Sequence, residues 1–405
     1  MKKAFVFGII LLFFFMSTNT SFAVDNVKKS STPIINGNTL YVGGNGTGNY
    51  SRIQDAINDA VDGDTVFVFN DSSPYYENVV IDESINLIGE NRETTVIDGN
   101  YSGHVVNIIT NGVTISGFTI QKCGDDVWEY AGIYMYYTEG NTITGNIITN
   151  NGCHGIYCYN EEYPLSGFNV ISNNIVTKNR FGIVLDISFY NEVYDNYVED
   201  NNEFGIFVGS SLIPSENIKH SLDDYYNNIY RNTIINSYIG IDIDPASFTN
   251  VFKNNIMNNN YGIYISAPYL TTSSYNNIYQ NNIHNNTHGI KASTWGGIIA
   301  NNNISENNIL YNEEGISLLS YRFILWGDIS YNTISINNFI GNNNSAYFEY
   351  LFFSSRDCNQ WVGNYWGKAR FLPYLILGKL KILKFTILWI AFDWHPAKKP
   401  YDIPT

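Results

Sequence analysis

Between residues 141 and 342 the apolar and polar positions follow one recurring pattern, N-x-[IVF]-x-x-N-x-[IVMF]. Copies begin at Asn141, Asn169, Asn191, Asn227, Asn250, Asn276, Asn302 and Asn332. A second Asn follows five residues on (Asn146 in the first copy, Asn255 in the fifth). A third follows ten residues on (Asn151, Asn260), with Ser237 the one substitute. Seven copies then reach Gly-Ile, from Gly155-Ile156 to Gly315-Ile316. The apolar positions are β-branched or aromatic, in short runs with no 3.6-residue period, which predicts strands rather than helices. Starts lie 22 to 36 residues apart, the spacing of one stacked supersecondary unit per repeat. Three short strands per turn with Asn-rich corners predict an all-β fold, a single-stranded parallel β-helix. Asn suits those corners because it tolerates left-handed backbone and bonds its neighbours, and stacked amides form ladders.

The flanks read differently. Residues 1–23 carry Lys2 and Lys3, a thirteen-residue apolar run and Ser21-Phe22-Ala23, the pattern of a cleaved export signal. A polar spacer (24–39) precedes an N-terminal cap with the first coils (40–110). There Ser51 and Gln54 predict a capping box for a helix over Arg52–Val61. The repeats occupy 111–354, opening with a degenerate copy counted from Asn111, and residues 355–405 form a C-terminal cap. The apolar stretch Phe371–Phe392 is broken by Pro373, Gly378, Lys379, Lys381 and Lys384 into uncharged pieces of at most eight residues. Those are too short for a spanning helix, so no membrane span is expected after signal removal.

Composition narrows the partners. The formal charge of −15 becomes −17 without Lys2 and Lys3, which disfavours nucleic acid and anionic lipid. Cys123 and Cys153 each lie twelve residues after a copy start, so stacked coils would join them in a disulfide or bury two thiols. Met135, Cys153, His154 and Cys158 suggest copper. An inward Cys158 and the lack of a second nearby His argue against it, and no metal is assigned.

The run "YSRIQDAINDAVDGDTVFVF…YYENVVIDESINLIGENRETTVIDG", followed by N-x-I-x-x-N units, resembles the pectin-lyase-like right-handed β-helix proteins, more narrowly the NosD-type group. The resemblance implies the fold and its hand over roughly residues 40–365. For function it implies a range: surface proteins, a copper-maturation accessory, and polysaccharide lyases, hydrolases and esterases.

Candidate chemistry lies after each Gly-Ile. With Ile inward, alternation sends the second and fourth residues after Gly to the outside. Those rows carry Tyr134, Tyr157, Phe207, Asp242, Tyr264 and Lys291, and Tyr136, Tyr159, Asp186 and Asp244. Exposed aromatics beside carboxylates are a sugar-binding combination; Tyr is also simply a good strand former. Asp186, Asp242, Asp244 and Lys291 are the candidates for catalysis, with Ca²⁺ needed only by a lyase. The expectation is an exported or cell-surface protein that binds a polysaccharide or surface glycan without catalysis, or acts as a scaffold. The alternatives are a polysaccharide lyase or glycoside hydrolase, and a copper-maturation accessory.

Overall fold

The computed structural model describes residues 37–404, apart from 127–128, 161–166, 211–224, 322–326, 352–357 and 383–384. The expected signal segment falls outside the described residues, as do Trp128, His220, Asp223 and Asp224 of two long inserts. The chain winds as a right-handed parallel β-helix. Each coil supplies two three-residue strands and one longer strand, such as Thr142–Thr144, Ile147–Thr149 and His154–Tyr159. Each pairs in parallel with its counterpart one coil on. The stacks are called sheets 1, 2 and 3 in the order each coil meets them; they hold 13, 12 and 13 strands among the described residues.

The inward residues make the core. Ile143 stacks on Ile171 and Val193 in sheet 1, Ile148 on Val176 and Val198 in sheet 2, and Ile156 on Ile183 and Ile206 in sheet 3. All are fully buried, and burying each such side chain contributes about 1.5–3 kcal/mol.

The corners explain the asparagines. The backbone N–H of Asn146 donates to Asn174 Oδ1 at 3.0 Å, Asn174 to Asn196 at 3.1 Å, and Asn196 to Asn232 at 3.1 Å. Each Nδ2 also donates to a carbonyl of the preceding coil, as Asn174 does to Ile143 at 2.8 Å. The Asn itself is not the left-handed residue. That conformation falls on the residue before it, such as Tyr190, Asp195 and Asp200 at φ of 54°, 54° and 53°. The cost of left-handed backbone in these non-glycine residues, about 1–2 kcal/mol each, is offset by the buried bonds the next residue makes.

These bonds correct the register in two places. In the fifth copy the ladder positions are Thr249, Asn254 and Asn259, one residue before Asn250, Asn255 and Asn260. The Asn doublets fit either frame, and burial decides: Val251 and Ile256 point inward, while Phe252 is only half-buried. In the degenerate copy Val113, Phe118 and Cys123 occupy the three ladder positions, their N–H groups donating to Asn141, Asn146 and Asn151. Cys123 therefore aligns with Asn151, not Cys153. Cys123 faces the inner core and Cys153 an outer cluster, and all four cysteines are thiols.

The helix runs from Ile53 to Asn58, shorter than expected, and Ser51 and Gln54 do not box it: the N-cap is Arg52, without a side-chain cap bond. Glu77, from the next coil, accepts from the N–H groups of Ile53 and Gln54 at 2.8 and 3.1 Å, an anion at the positive helix end. Ile53, Ala56 and Ile57 pack into the start of the core. At the other end, Tyr374–Ile382 and Phe385–Asp393 form an antiparallel hairpin on the edge of sheet 3. Among the described residues, no helix is long and apolar enough to cross a membrane.

Candidate functional site

Sheet 3 aligns the residues the sequence picks out. One row runs Tyr134, Tyr157, Val184, Phe207, Asp242, Tyr264, Lys291 and a second Tyr136, Tyr159, Asp186, Gly209, Asp244. The alignment agrees with the expectation; the exposure does not. Tyr157 and Phe207 are 7% exposed, Asp242 3% and Asp186 1%. Tyr157 and Phe207 join Ala131, Cys153, Phe181 and Val184 in a second apolar cluster on the outer side of the sheet. His154 stacks on Tyr157 at 4.1 Å and on Phe181 at 4.9 Å, and Tyr136 on Tyr159 at 5.9 Å. Ring faces that a sugar would need are thus packed against each other, because parallel strands bring like rings into stacking distance.

The acids lie within this layer. Asp186 accepts from the Tyr157 hydroxyl at 3.2 Å. Burial, then the neighbouring Asp244 carboxylate, pushes Asp242 well above the usual range; burial raises Asp244 as well, against a Ser266 hydrogen bond. Asp242 Oδ1 and Asp244 Oδ1 are buried without a hydrogen-bond partner among the described residues. Burial lowers the Lys291 pKa, and its ammonium lies 4.8 Å from the Tyr261 ring centre. Asp186 and Asp244 flank Gly209 two coils apart. The copper candidates are divided by the sheet: Met135 and Cys158 face the inner core, Cys153 the outer cluster. Burial pushes the Cys153 thiol up to about 12 and Cys158 higher still, which disfavours the thiolates a soft metal takes. These residues do not fit a copper site.

A more exposed constellation lies on sheet 1 and its entry corner. Phe168, Tyr190, Tyr226, Phe248 and Tyr275 stack in sequence with ring centres 4.9 to 5.1 Å apart. Four residues further along each coil, Tyr194, Tyr230, Phe252 and Tyr279 stack at 4.8 to 5.0 Å. Between the two ladders runs the outward row Glu192, Asn228, Asn250, Asn277, Asn303. Its side chains are linked: Asn228 Nδ2 donates to Glu192 at 2.6 Å and Asn250 Nδ2 to Asn228 at 2.9 Å. Arg231, paired twice with Asp195 at 2.8 and 2.7 Å, lies over the Tyr230 ring at 4.8 Å. Tyr190, Tyr226 and Tyr275 are exposed, so their edges line a flat stripe one coil per step. The sequence carries this stripe as YNEVY, YNNIY, FTNVF and YNNIY, from residues 190, 226, 248 and 275. The Gly-Ile frame passed over it because it followed a different strand.

A separate open cleft of about 450 Å³ near the first coil is lined by Tyr41, Asn49, Phe69, Asp71 and Glu90, among others. Residues 57–222 match the NosD family model, "Periplasmic copper-binding protein (NosD)". The NosD match ends within the repeats, and the solenoid continues beyond it. No curated protein matches the chain. Among solved structures it is similar to the A-modules of two Azotobacter vinelandii mannuronan C-5 epimerases. AlgE6 has TM-score 0.63 and 15% identity, with 86% of this chain and 91% of that one covered. AlgE4 has TM-score 0.59 and 14% identity, with 86% and 96% covered. XylC in complex with xylose has TM-score 0.53 and 12% identity, with 87% and 89% covered. At such identities these likenesses concern the fold.

Proposed function

We propose that this is an exported, non-catalytic protein that binds a linear polysaccharide along the sheet 1 stripe. The observation that carries the reading is the run of aromatic edges, tyrosine in three of the four coils from Tyr190 to Tyr275, and of amides along one exposed face. A polymer of hydroxyl-bearing sugars meets similar donors and acceptors at successive steps, apart from the Phe248 coil, and many modest contacts add along its length. Recognition is by hydrogen bonds at ring edges, since the faces are stacked. The NosD match favours export, and polysaccharide-acting proteins recur among similar folds.

Affinity electrophoresis through gels containing neutral and uronic-acid polysaccharides tests this. Tyr275→Phe keeps the ring stack and removes one hydroxyl. It should leave the melting temperature unchanged and weaken binding roughly two- to tenfold, one hydrogen bond's worth. Tyr41→Ala, in the distant cleft, should leave binding intact. A parent protein retarded by no polysaccharide, or by all regardless of Tyr275, rejects the stripe.

The second reading is a polysaccharide-cleaving or -isomerising enzyme on sheet 3, favoured by the raised pKa of Asp242 beside Asp244. A carboxyl held above its ordinary range by burial is a candidate general acid. Turnover lost in Asp242→Asn with polysaccharide binding retained would support it.

A further inference from the structure

The C-terminal hairpin does not suit a simple cap. Ile376 and Ala391 are buried at its base, but further along both of its faces are exposed. Leu377, Leu388 and Ile390 share one face, exposed by 58, 77 and 44%. Phe385, Ile387 and Trp389 share the other, exposed by 73, 45 and 45%. A protein partner laid flat on the hairpin would cover one face only. A medium that surrounds it covers both.

Charge points the same way. Residues 368–399 hold seven of the chain's 22 lysines and arginines but only one of its 37 acids. That acid, Asp393, is fully buried and engaged by the backbone N–H groups of Gly363 and Asn364. The net charge of −15 therefore hides a basic, apolar end on an acidic solenoid. Lys379 shares the face of Leu377 and Leu388, and Lys398 lies over the Phe371 ring at 4.9 Å. Exposed Trp and Leu framed by lysines are the composition of an element seated at a membrane surface.

We propose that the hairpin docks this end of the solenoid into the interfacial region of an anionic lipid bilayer. Among the described residues Phe385–Asp393 is the last strand of its sheet, and the backbone groups of such an edge are satisfied by headgroups and water but not by hydrocarbon. The hairpin thus lies shallow rather than spanning.

Flotation of the full chain with vesicles tests this, comparing pure phosphatidylcholine with a phosphatidylcholine–phosphatidylglycerol mixture. The chain should float with the anionic vesicles and release as salt rises. Lys379→Gln with Lys398→Gln should weaken partitioning about fivefold per lysine, the equivalent of about 1 kcal/mol each. These exposed changes should not shift the melting temperature. Leu388→Ser with Trp389→Ser should abolish flotation while the far-ultraviolet spectrum stays that of a β-helix. Flotation unchanged in both variants overturns the proposal. So does equal binding to neutral vesicles. A parent that ignores vesicles overturns it too, and a concentration-dependent dimer in sedimentation would then assign the hairpin to a second copy.

Discussion

A single ladder asparagine does two tasks: its Oδ1 accepts from the coil before it, and its Nδ2 reaches back to a carbonyl. Ser237 interrupts this; its N–H still donates to Asn259 at 2.8 Å, but its hydroxyl is buried without a partner among the described residues. Ser237→Asn should restore the missing bonds and raise stability by about 1 kcal/mol, seen as a higher melting temperature. The sequence showed these asparagines plainly, but not their frame where Asn doublets occur, as at Asn254-Asn255. Nor did spacing show that Val113, Phe118 and Cys123 stand in asparagine positions, because the substitution keeps burial and discards polarity. Asp242 gives a pH dependence. Burial and the neighbouring Asp244 hold its folded pKa well above the ordinary carboxyl value of about 3.9, so between those values the folded state holds a proton the unfolded chain has lost. Stability therefore falls as pH rises above about 4. Asp242→Asn should flatten that fall, melting above the parent at pH 7 and approaching it toward pH 4 in a series of thermal scans.

At the level of elements, alternation placed the sheet 3 rows correctly and misjudged their exposure. A strand pattern tells inside from outside, but it does not reveal that His154, Phe181 and Tyr157 build a second layer on the outer side. The sheet 1 stripe was legible as four aromatic pentapeptides, yet its meaning depended on ring stacking that only the coil register supplies. Ends are the least legible, since their partners come from distant sequence. Glu77 caps a helix 24 residues before it, and Asp393 closes the middle ladder. Asp393 accepts from Asn364 N–H at 2.8 Å and Trp366 Nε1 at 3.0 Å, besides Gly363 and His395. The backbone N–H groups of that ladder all point toward this carboxylate, so an anion there complements the aligned donors. Asp393→Ala should cost about 3 kcal/mol or more, because several buried donors lose their acceptor at once. Chemical denaturation would measure it, and a loss below 1 kcal/mol would contradict the terminating role.

For the molecule as a whole, coils are interchangeable wherever the ladder is unbroken. The backbone N–H of Asn169 donates to Asn191 as that of Asn141 donates to Asn169. Removing residues 169–190, one 22-residue step, should leave Asn141 bonded to Asn191 and a protein that still unfolds cooperatively. Removing 169–189 shifts every downstream side chain by one position, turning inward residues outward; that chain should fail to give a sharp transition in the same melt. An in-frame duplication or loss of one whole coil, such as these 22 codons, is thus conformationally neutral where a length that is not a whole coil is not. The gene can lengthen or shorten the rod in steps of about 4.8 Å, setting how far a polymer held on the stripe stands from whatever the basic end grips.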